Sequence, residues 1–234
     1  RLSENIAYRT NNQNAISLRD LSSNDSTQVQ LKAEFDAAFG QETTYVIKQG
    51  EMPNKKSLNN ELAGRLLLSL YVRQPWSTHQ IYKIFSGLEG QIFSYDRNAF
   101  HIRLAQLMYE VVQKGVSDLK FERMRKYALT NFIVLYLVGE VLREDSGGRK
   151  LLDDPQPYLS TNAFQNASQG KILKQIGEKL EFVITELNYF VEQEGGEAFE
   201  YKNNFKSPKF VATLRAETLK SYAKDKKRSK ESEF

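Results

Sequence analysis

The sequence predicts a mainly α-helical, multi-helical domain with a small β-hairpin or short strand near residues 43–56. Apolar residues recur every three or four positions over most of the chain, which is the period of a helix with one buried face. Hydrophobic residues make up 40% of the 234 residues, enough for a sizeable core. Residues 43–48 are rich in Thr, Tyr, Val and Ile, which favours a strand, and we expect a hairpin closed through residues 50–56.

The apolar periodicity divides the chain into helices with identifiable starts. Asp25 and Ser77 are each followed three residues later by glutamine, the spacing of a capping box. Ser207 before Pro208 is a typical pair for the start of a helix, and Asp118 is a candidate cap for the apolar run after it. The predicted helices cover residues 25–39, 58–70, 81–85, 98–114, 119–143, 172–191 and 208–225.

Residues 144–169 are the longest stretch with no predicted secondary structure. They contain two glycines, two prolines and a run of Ser, Asn and Gln, which is typical of a loop. We interpret them as a loop or linker between a first region, 1–143, and a C-terminal helical region, 170–234, that ends in a basic tail.

The positive charge of the chain is concentrated near its C-terminal end. The net charge is +4, yet residues 202–230 alone hold ten Lys or Arg and two acidic residues. Lys224, Lys226, Lys227 and Arg228 are candidates to bind a nucleic-acid backbone, because such contacts need only clustered cations. The simpler interpretation is a solvated and frayed terminus, and the rest of the chain is close to neutral.

Composition excludes several classes of site. There is no cysteine, which rules out disulfides, thiolate metal sites and a cysteine nucleophile, and the two histidines are too few for a histidine-rich metal site. No cofactor is predicted. No apolar run is long enough to span a membrane, so we expect a cytoplasmic protein, and because the chain begins at Arg1 we expect a piece of a longer one.

Residues 10–16 are unusually dense in carboxamide side chains. Asn11, Gln13 and Asn14 each offer two donors and one acceptor, and consecutive amides favour turns over the interior of a helix or strand. The functional interpretation is a polar surface that binds a base edge, a ribose or a phosphate. The structural interpretation is a loop that is held by its own hydrogen bonds.

This segment resembles the abortive phage infection protein family, often called AIPR. The resemblance covers residues 5–51 best and weakens through residue 115. The matching positions are Thr10, Asn11, Gln13, Asn14, Ile16, Asp20, Leu21, Ser23, Asp25 and Gln28, followed by Tyr45, Lys48 and Gly50 near the predicted strand.

The resemblance implies a role in bacterial defence against phage. Members of this family are usually longer, and an upstream part can resemble a nuclease, so catalytic carboxylates are expected outside this chain. We therefore expect a non-catalytic module that binds nucleic acid, a nucleotide or a protein partner. The predicted ligand-binding residues are Asn11, Gln13, Asn14, Asp20, Tyr45 and Lys48.

Two rival functions use other parts of the sequence. Glu200 and Lys202, with Asp153 or Asp154, have the residue types of a magnesium-dependent nuclease, although the surroundings of Glu200 lack a strand pattern. The other rival is a structural oligomerisation domain, in which the amide segment is only a structural loop.

Residues 147–150, Gly-Gly-Arg-Lys, could bind phosphate through backbone amides, but a flexible surface loop is the simpler interpretation.

Overall fold

The computed structural model describes residues 25–48, 56–159 and 165–231, except for the side chains of residues 165–169 and 230. The mainly α-helical fold class is confirmed. The described ranges contain twelve α-helices, three short 3₁₀ turns and two strands. The helices are α1 (Ser26–Phe39), α2 (Asn60–Leu70), α3 (Ile81–Ser86), α4 (Glu89–Ile92), α5 (Ala99–Gly115), α6 (Glu122–Arg125), α7 (Ala128–Arg143), α8 (Ser146–Asp153), α9 (Gln156–Leu159), α10 (Gln165–Gln193), α11 (Tyr201–Asn204) and α12 (Pro208–Glu231).

Helix α7 is the centre of the packing. It contacts α2, α5, α8, α10 and α12. Thirteen of its sixteen residues are buried, and most of them are branched aliphatic or aromatic. A helix that is apolar around its whole circumference is stable in water only when other helices cover every face. The long apolar run that predicted this helix therefore also explains its central position.

The two strands pair in parallel, so the predicted hairpin is wrong and the predicted short strand is right. Strand β1 (Thr44–Val46) pairs with β2 (Ser57–Asn59), with Tyr45 opposite Leu58. A hairpin would require antiparallel strands. The direction of β2 is tied to α2, which begins at the next residue and uses Asn59 as its N-cap, with the Leu62 N–H donating to the Asn59 side chain at 2.7 Å.

Polar side chains start three helices where the sequence predicts helix starts. The Asp25 carboxylate accepts a hydrogen bond from the Thr27 N–H at 2.7 Å, and Asn98 forms a capping box with His101 at the start of α5. The Ser207 hydroxyl accepts from the Phe210 N–H at 3.3 Å. The capping box predicted at Ser77 is absent, because Ser77 ends a 3₁₀ turn.

The single helix predicted over 119–143 is interrupted. Leu119 is buried and extended, and α6 and α7 are separate helices. The side chain of Asn188, on α10, accepts from the Lys120 N–H at 2.8 Å and donates to the Asp118 carbonyl at 3.3 Å. An amide from a distant helix thus satisfies backbone groups that a continuous helix would have paired internally.

The segment predicted as a loop or linker is largely helical. Helices α8 and α9 lie within 144–169, and α10 begins at Gln165. The glycine pair at 147–148 belongs to α8, where a Cβ on Gly148 would lie 2.3 Å from the Leu142 carbonyl oxygen. The absence of a side chain at Gly148 therefore lets the start of α8 pack closely against the backbone at the end of α7. Buried residues of α7 and α10, before and after this segment, belong to one hydrophobic core.

A bilayer-spanning helix, with the necessary length and apolar composition, is not found among the described residues.

Candidate polyanion-binding surface on the last helix

The predicted ligand-binding residues near the amino end are only partly covered by the structure. Asn11, Gln13, Asn14 and Asp20 lie outside the described residues. Lys48 is exposed after β1, and its predicted contact with a ligand stays a prediction.

The prediction for Tyr45 needs a correction. This side chain is fully buried, and its hydroxyl donates to the Gln28 side-chain oxygen at 3.1 Å. Its ring centroid lies 5.6 Å from that of Phe35. Its neighbours Val46 and Ile47 are also buried, so both faces of this short strand are covered. Tyr45 is therefore a core residue with no exposed surface for the predicted ligand contact.

The basic C-terminal residues lie on a helix, and the predicted fraying is not observed. Helix α12 continues to Glu231, past Lys226, Lys227 and Arg228. A long helix with mostly charged residues is marginal by itself in water, so tertiary contacts must hold this end in place.

Those contacts converge on Asp145, just after α7. The Lys226 ammonium lies 2.6 Å from one Asp145 oxygen, and the Tyr222 hydroxyl donates to the other at 2.8 Å. From α10, the Lys179 ammonium also reaches this carboxylate, at 2.8 Å. We call these four residues the Asp145 clamp. It joins α10 and α12 to the end of α7 at the start of the basic stretch.

The clamp perturbs the ionisation of its carboxylate. Burial by itself would raise the pKa of Asp145, but hydrogen bonds from Lys179, Lys226 and Tyr222 outweigh burial and lower that pKa to about 2. The Lys226 pKa is raised, first of all by its hydrogen bond to Asp145. Lys226, Lys224, Lys227 and Arg228 are all exposed, but Lys226 is engaged in an ion pair within the protein.

Three lysines form a stripe on the outward face of α12. Lys209, Lys220 and Lys227 are exposed and separated by eleven and seven residues, which are three and two helical turns. The stripe is continued by Ala216 and Ala223, which are also exposed. At 1.5 Å per residue, the Lys209, Lys220 and Lys227 positions are about 16 Å and about 10 Å apart along the axis. We call these three residues the lysine stripe.

Two members of the stripe are absent from the binding residues predicted by sequence. Lys209 and Lys220 precede the basic run, and a prediction that ends the helix near residue 225 separates them from Lys227. Their spacing of eleven and seven residues is the signal that identifies them once the helix is extended.

The flank of α12 next to the lysine stripe has a different charge pattern. Lys224 and Arg228 line a cleft of about 530 Å³ together with three carboxylates of α10, Glu178, Glu181 and Glu186. These acids reduce the attraction that Lys224 and Arg228 exert on a polyanion. The lysine stripe is outside this cleft, and Lys209 and Lys227 form no ion pair within the described ranges. Lys220 lies 3.4 Å from Glu217 and lines a second cleft with Glu186 and Glu194. Lys209 and Lys227 are therefore the more favourable positions for phosphate groups.

The residues proposed for a nuclease do not form such a site in the described part of the chain. Glu200 directly precedes the short helix α11, whereas the nuclease pattern needs a strand. Within the described ranges, no group of three or more His, Asp or Glu side chains could hold a metal ion.

The two histidines have structural contacts. His101 is buried, its Nδ1 accepts from the Asn98 N–H at 3.2 Å, and its Nε2 lies 3.3 Å from the Asp153 carbonyl oxygen. Burial lowers the pKa of His101, which favours the neutral ring. His79 is at the surface, with Nδ1 2.8 Å from the Trp76 carbonyl oxygen.

Comparison of the chain with protein-family models, with curated proteins and with solved structures gave no match. The resemblance to the abortive phage infection protein family therefore stays a prediction.

Proposed function

We propose that this chain is a non-catalytic module that binds the phosphate backbone of nucleic acid along the outward face of α12. The observation that supports this most is the Asp145 clamp, because it keeps the basic end of α12 helical and fixed on the core. Cations on a fixed helix need less ordering on binding than cations on a frayed tail. The lysine stripe then offers three charges at set positions.

The binding expected from this surface is electrostatic and independent of base sequence. Lysine ammonium groups contact phosphate as point charges, and each neutralised phosphate releases condensed counterions. Each such contact with a DNA duplex contributes about −0.9 to the slope of log K against log salt concentration. Full engagement of the lysine stripe therefore corresponds to a slope of about −2.7.

The biological setting we propose is a cytoplasmic phage-defence protein of the abortive-infection type. The support for this setting is the resemblance of residues 5–51 to that family, and nucleic acid is a suitable ligand for such a protein. A direct check is the coding sequence on the 5′ side of the Arg1 codon. An Asn-Gly-x-Gln motif just before Arg1 would support the family, and its absence would count against it.

The binding proposal is tested by removing the stripe and comparing salt dependence. The variant Lys209→Ala/Lys220→Ala/Lys227→Ala is compared with wild type by fluorescence anisotropy on a labelled DNA duplex, from low to high salt. The matched control is Lys120→Ala/Lys126→Ala/Lys202→Ala, which removes the same charge from lysines elsewhere on the surface. The stripe variant should lose about 2.7 units of slope, and the control should keep the wild-type slope. Equal losses in both triple variants, or no binding by wild type, would refute the proposal.

A protein partner is the second candidate, because one feature of the structure favours it. Tyr189 on α10 is 62% exposed and lines a cleft of about 320 Å³ between α10 and α12. The same cleft contains carboxylates from α10 and lysines from α12, which suits a partner of mixed charge. Light scattering of wild type and Tyr189→Ser tests the simplest case, a second copy of this chain. A dimer that Tyr189→Ser dissociates would support that case, and a monomeric wild type would exclude it.

A further inference from the structure

A buried carboxylate on α7 is surrounded by three guanidinium groups. Glu140 is 2% exposed, and its oxygens form ion pairs with Arg73, Arg143 and Arg215. Arg143 is on the same helix, whereas Arg73 follows α2 and Arg215 is on α12. The three cations and one anion leave two positive charges that the group itself does not balance. We call these four residues the Glu140 cluster.

Two of the three arginines still have donors to offer. Arg73 and Arg215 are 44% and 35% exposed, and each gives one N–H to the same Glu140 oxygen, Oε2. The other donors, Nε and Nη1 of Arg73 and Nη1 and Nη2 of Arg215, make no hydrogen bond within the described ranges. Because the two groups share one acceptor atom, the two guanidinium groups are close to each other, and both are partly exposed to solvent.

The backbone at Arg73 is in an unfavourable conformation for a residue with a Cβ. Its φ is +62°, in the left-handed region, at a turn where the Gln74 N–H donates to the Leu68 carbonyl at 3.0 Å. Glycine is the residue that usually occupies such a helix C-terminal position. An arginine there indicates a requirement for its side chain, and such positions cluster at binding sites.

Neighbouring acids do not remove the positive charge. Glu144 acts electrostatically on Arg215, and Asp153 on Arg143, but neither forms an ion pair with these arginines in the described structure. Planar guanidinium groups bind tetrahedral oxyanions with paired hydrogen bonds. A buried carboxylate that fixes their orientation reduces the ordering needed when the anion arrives.

We propose that Arg73 and Arg215 form a second, separate site that binds one phosphate group. The buried Glu140 carboxylate fixes the position of both arginines through their ion pairs. This site does not include the lysine stripe, so it does not rest on the function proposed above. The phosphate group can belong to inorganic phosphate or to a phosphate monoester such as a nucleotide.

The test follows the arginine Nε–Hε signals of ¹⁵N-labelled protein by NMR during titration with inorganic phosphate at constant ionic strength. Wild type should show saturable shifts of the Arg73 and Arg215 signals. Arg73→Ala should weaken binding, followed at Arg215, by about tenfold or more, which corresponds to about 1.4 kcal/mol. Arg73→Lys, which keeps the charge without the planar fork, should give an intermediate loss. The control Arg123→Ala, at an exposed arginine of α6, should bind as wild type does.

The same design separates the two sources of phosphate and defines failure. Saturation by adenosine monophosphate at lower concentration than by inorganic phosphate would identify a nucleotide site, and the reverse order would identify a phosphate site. Linear shifts without saturation in wild type for both ligands would overturn the proposal. Equal saturation in wild type and Arg73→Ala would also overturn it. The lysine-stripe variant should still bind phosphate at this site. The salt dependence of DNA binding therefore tests the proposed function, and the phosphate titration tests this second site independently.

Discussion

Two carboxylates near the end of α7, Glu140 and Asp145, both attach α12 to the core, and they do so in different ways. Glu140 is 2% exposed and paired with three arginines, while Asp145 is 23% exposed and bound by two lysines and a tyrosine. A buried charge that loses its partners is very costly, whereas an ion pair open to solvent contributes little and responds to salt and pH. Glu140 therefore fixes the first part of α12, and Asp145 holds its basic end.

The largest effect is expected at Glu140. Glu140→Ala leaves Arg73, Arg143 and Arg215 without the carboxylate that they share. We expect the free energy of unfolding to fall by about 3 kcal/mol, the low end for a broken buried ion pair, because Arg73 and Arg215 are partly solvated. Urea denaturation monitored by circular dichroism measures this loss. The control Glu178→Ala, at an exposed glutamate of α10, should stay within about 0.5 kcal/mol of wild type. A small effect at Glu140 would mean that the buried cluster does not attach α12.

A smaller effect should follow from crowding the backbone beside Glu140. A Cβ on Gly139 would lie 2.4 Å from a Leu70 methyl carbon and 3.2 Å from Arg143 Nη1. We expect Gly139→Ala to destabilise the protein by about 1–3 kcal/mol, because the fully buried Leu70 side chain would have to move in a packed core.

The matched control for that change is Gly177→Ala in α10, where an added Cβ meets no atom within 4 Å. Alanine is the better helix former by about 1 kcal/mol, so this variant should be as stable as wild type or more so. Thermal unfolding of both alanine variants compares them directly. Equal stability of Gly139→Ala and Gly177→Ala would contradict tight packing between Gly139 and Leu70.

The smallest of these effects is expected at Asp145, where it should depend on pH. The pKa of Asp145 is about 2 in the folded protein, below its ordinary value near 3.8. A lowered pKa contributes stability above pH 4, and that contribution is lost as the pH falls toward 2. Solvent exposure limits the contribution to about 1 kcal/mol.

Asp145→Asn should therefore be about 1 kcal/mol less stable than wild type at pH 6, and this difference should shrink from pH 4 to pH 3. Urea denaturation of both proteins at each pH measures the difference. A difference that is the same at pH 6 and pH 3 would show that the Asp145 carboxylate is not selectively stabilised in the folded state.

Local signals in the sequence predicted much of the fold. Helix starts at Asp25, Asn98 and Ser207 depend on residues one to three positions away, and the apolar period of α10 is visible directly. Contacts between distant residues were not predictable in this way. Arg73 and Arg215 meet Glu140 across 67 and 75 positions, and no local pattern indicates such a pairing.

The same distinction explains two specific differences. From the sequence, the basic end of α12 is interpreted as a frayed tail, because the residue that stabilises it, Asp145, is 81 positions from Lys226. Tyr45 is predicted as a ligand contact from the family resemblance alone. Its burial depends on contacts with α1, including Gln28, which lies 17 positions away, and no local pattern indicates them.

The central claim is that the basic residues of α12 belong to a fixed helix and not to a solvated tail. Amide hydrogen exchange measured by NMR across residues 215–228, in wild type and Asp145→Asn, tests this claim most directly. We predict protection through residue 226 in wild type, and a selective loss of protection after residue 219 in Asp145→Asn with the rest of the protein unchanged. Exchange at unfolded-chain rates beyond residue 222 in wild type would contradict the claim.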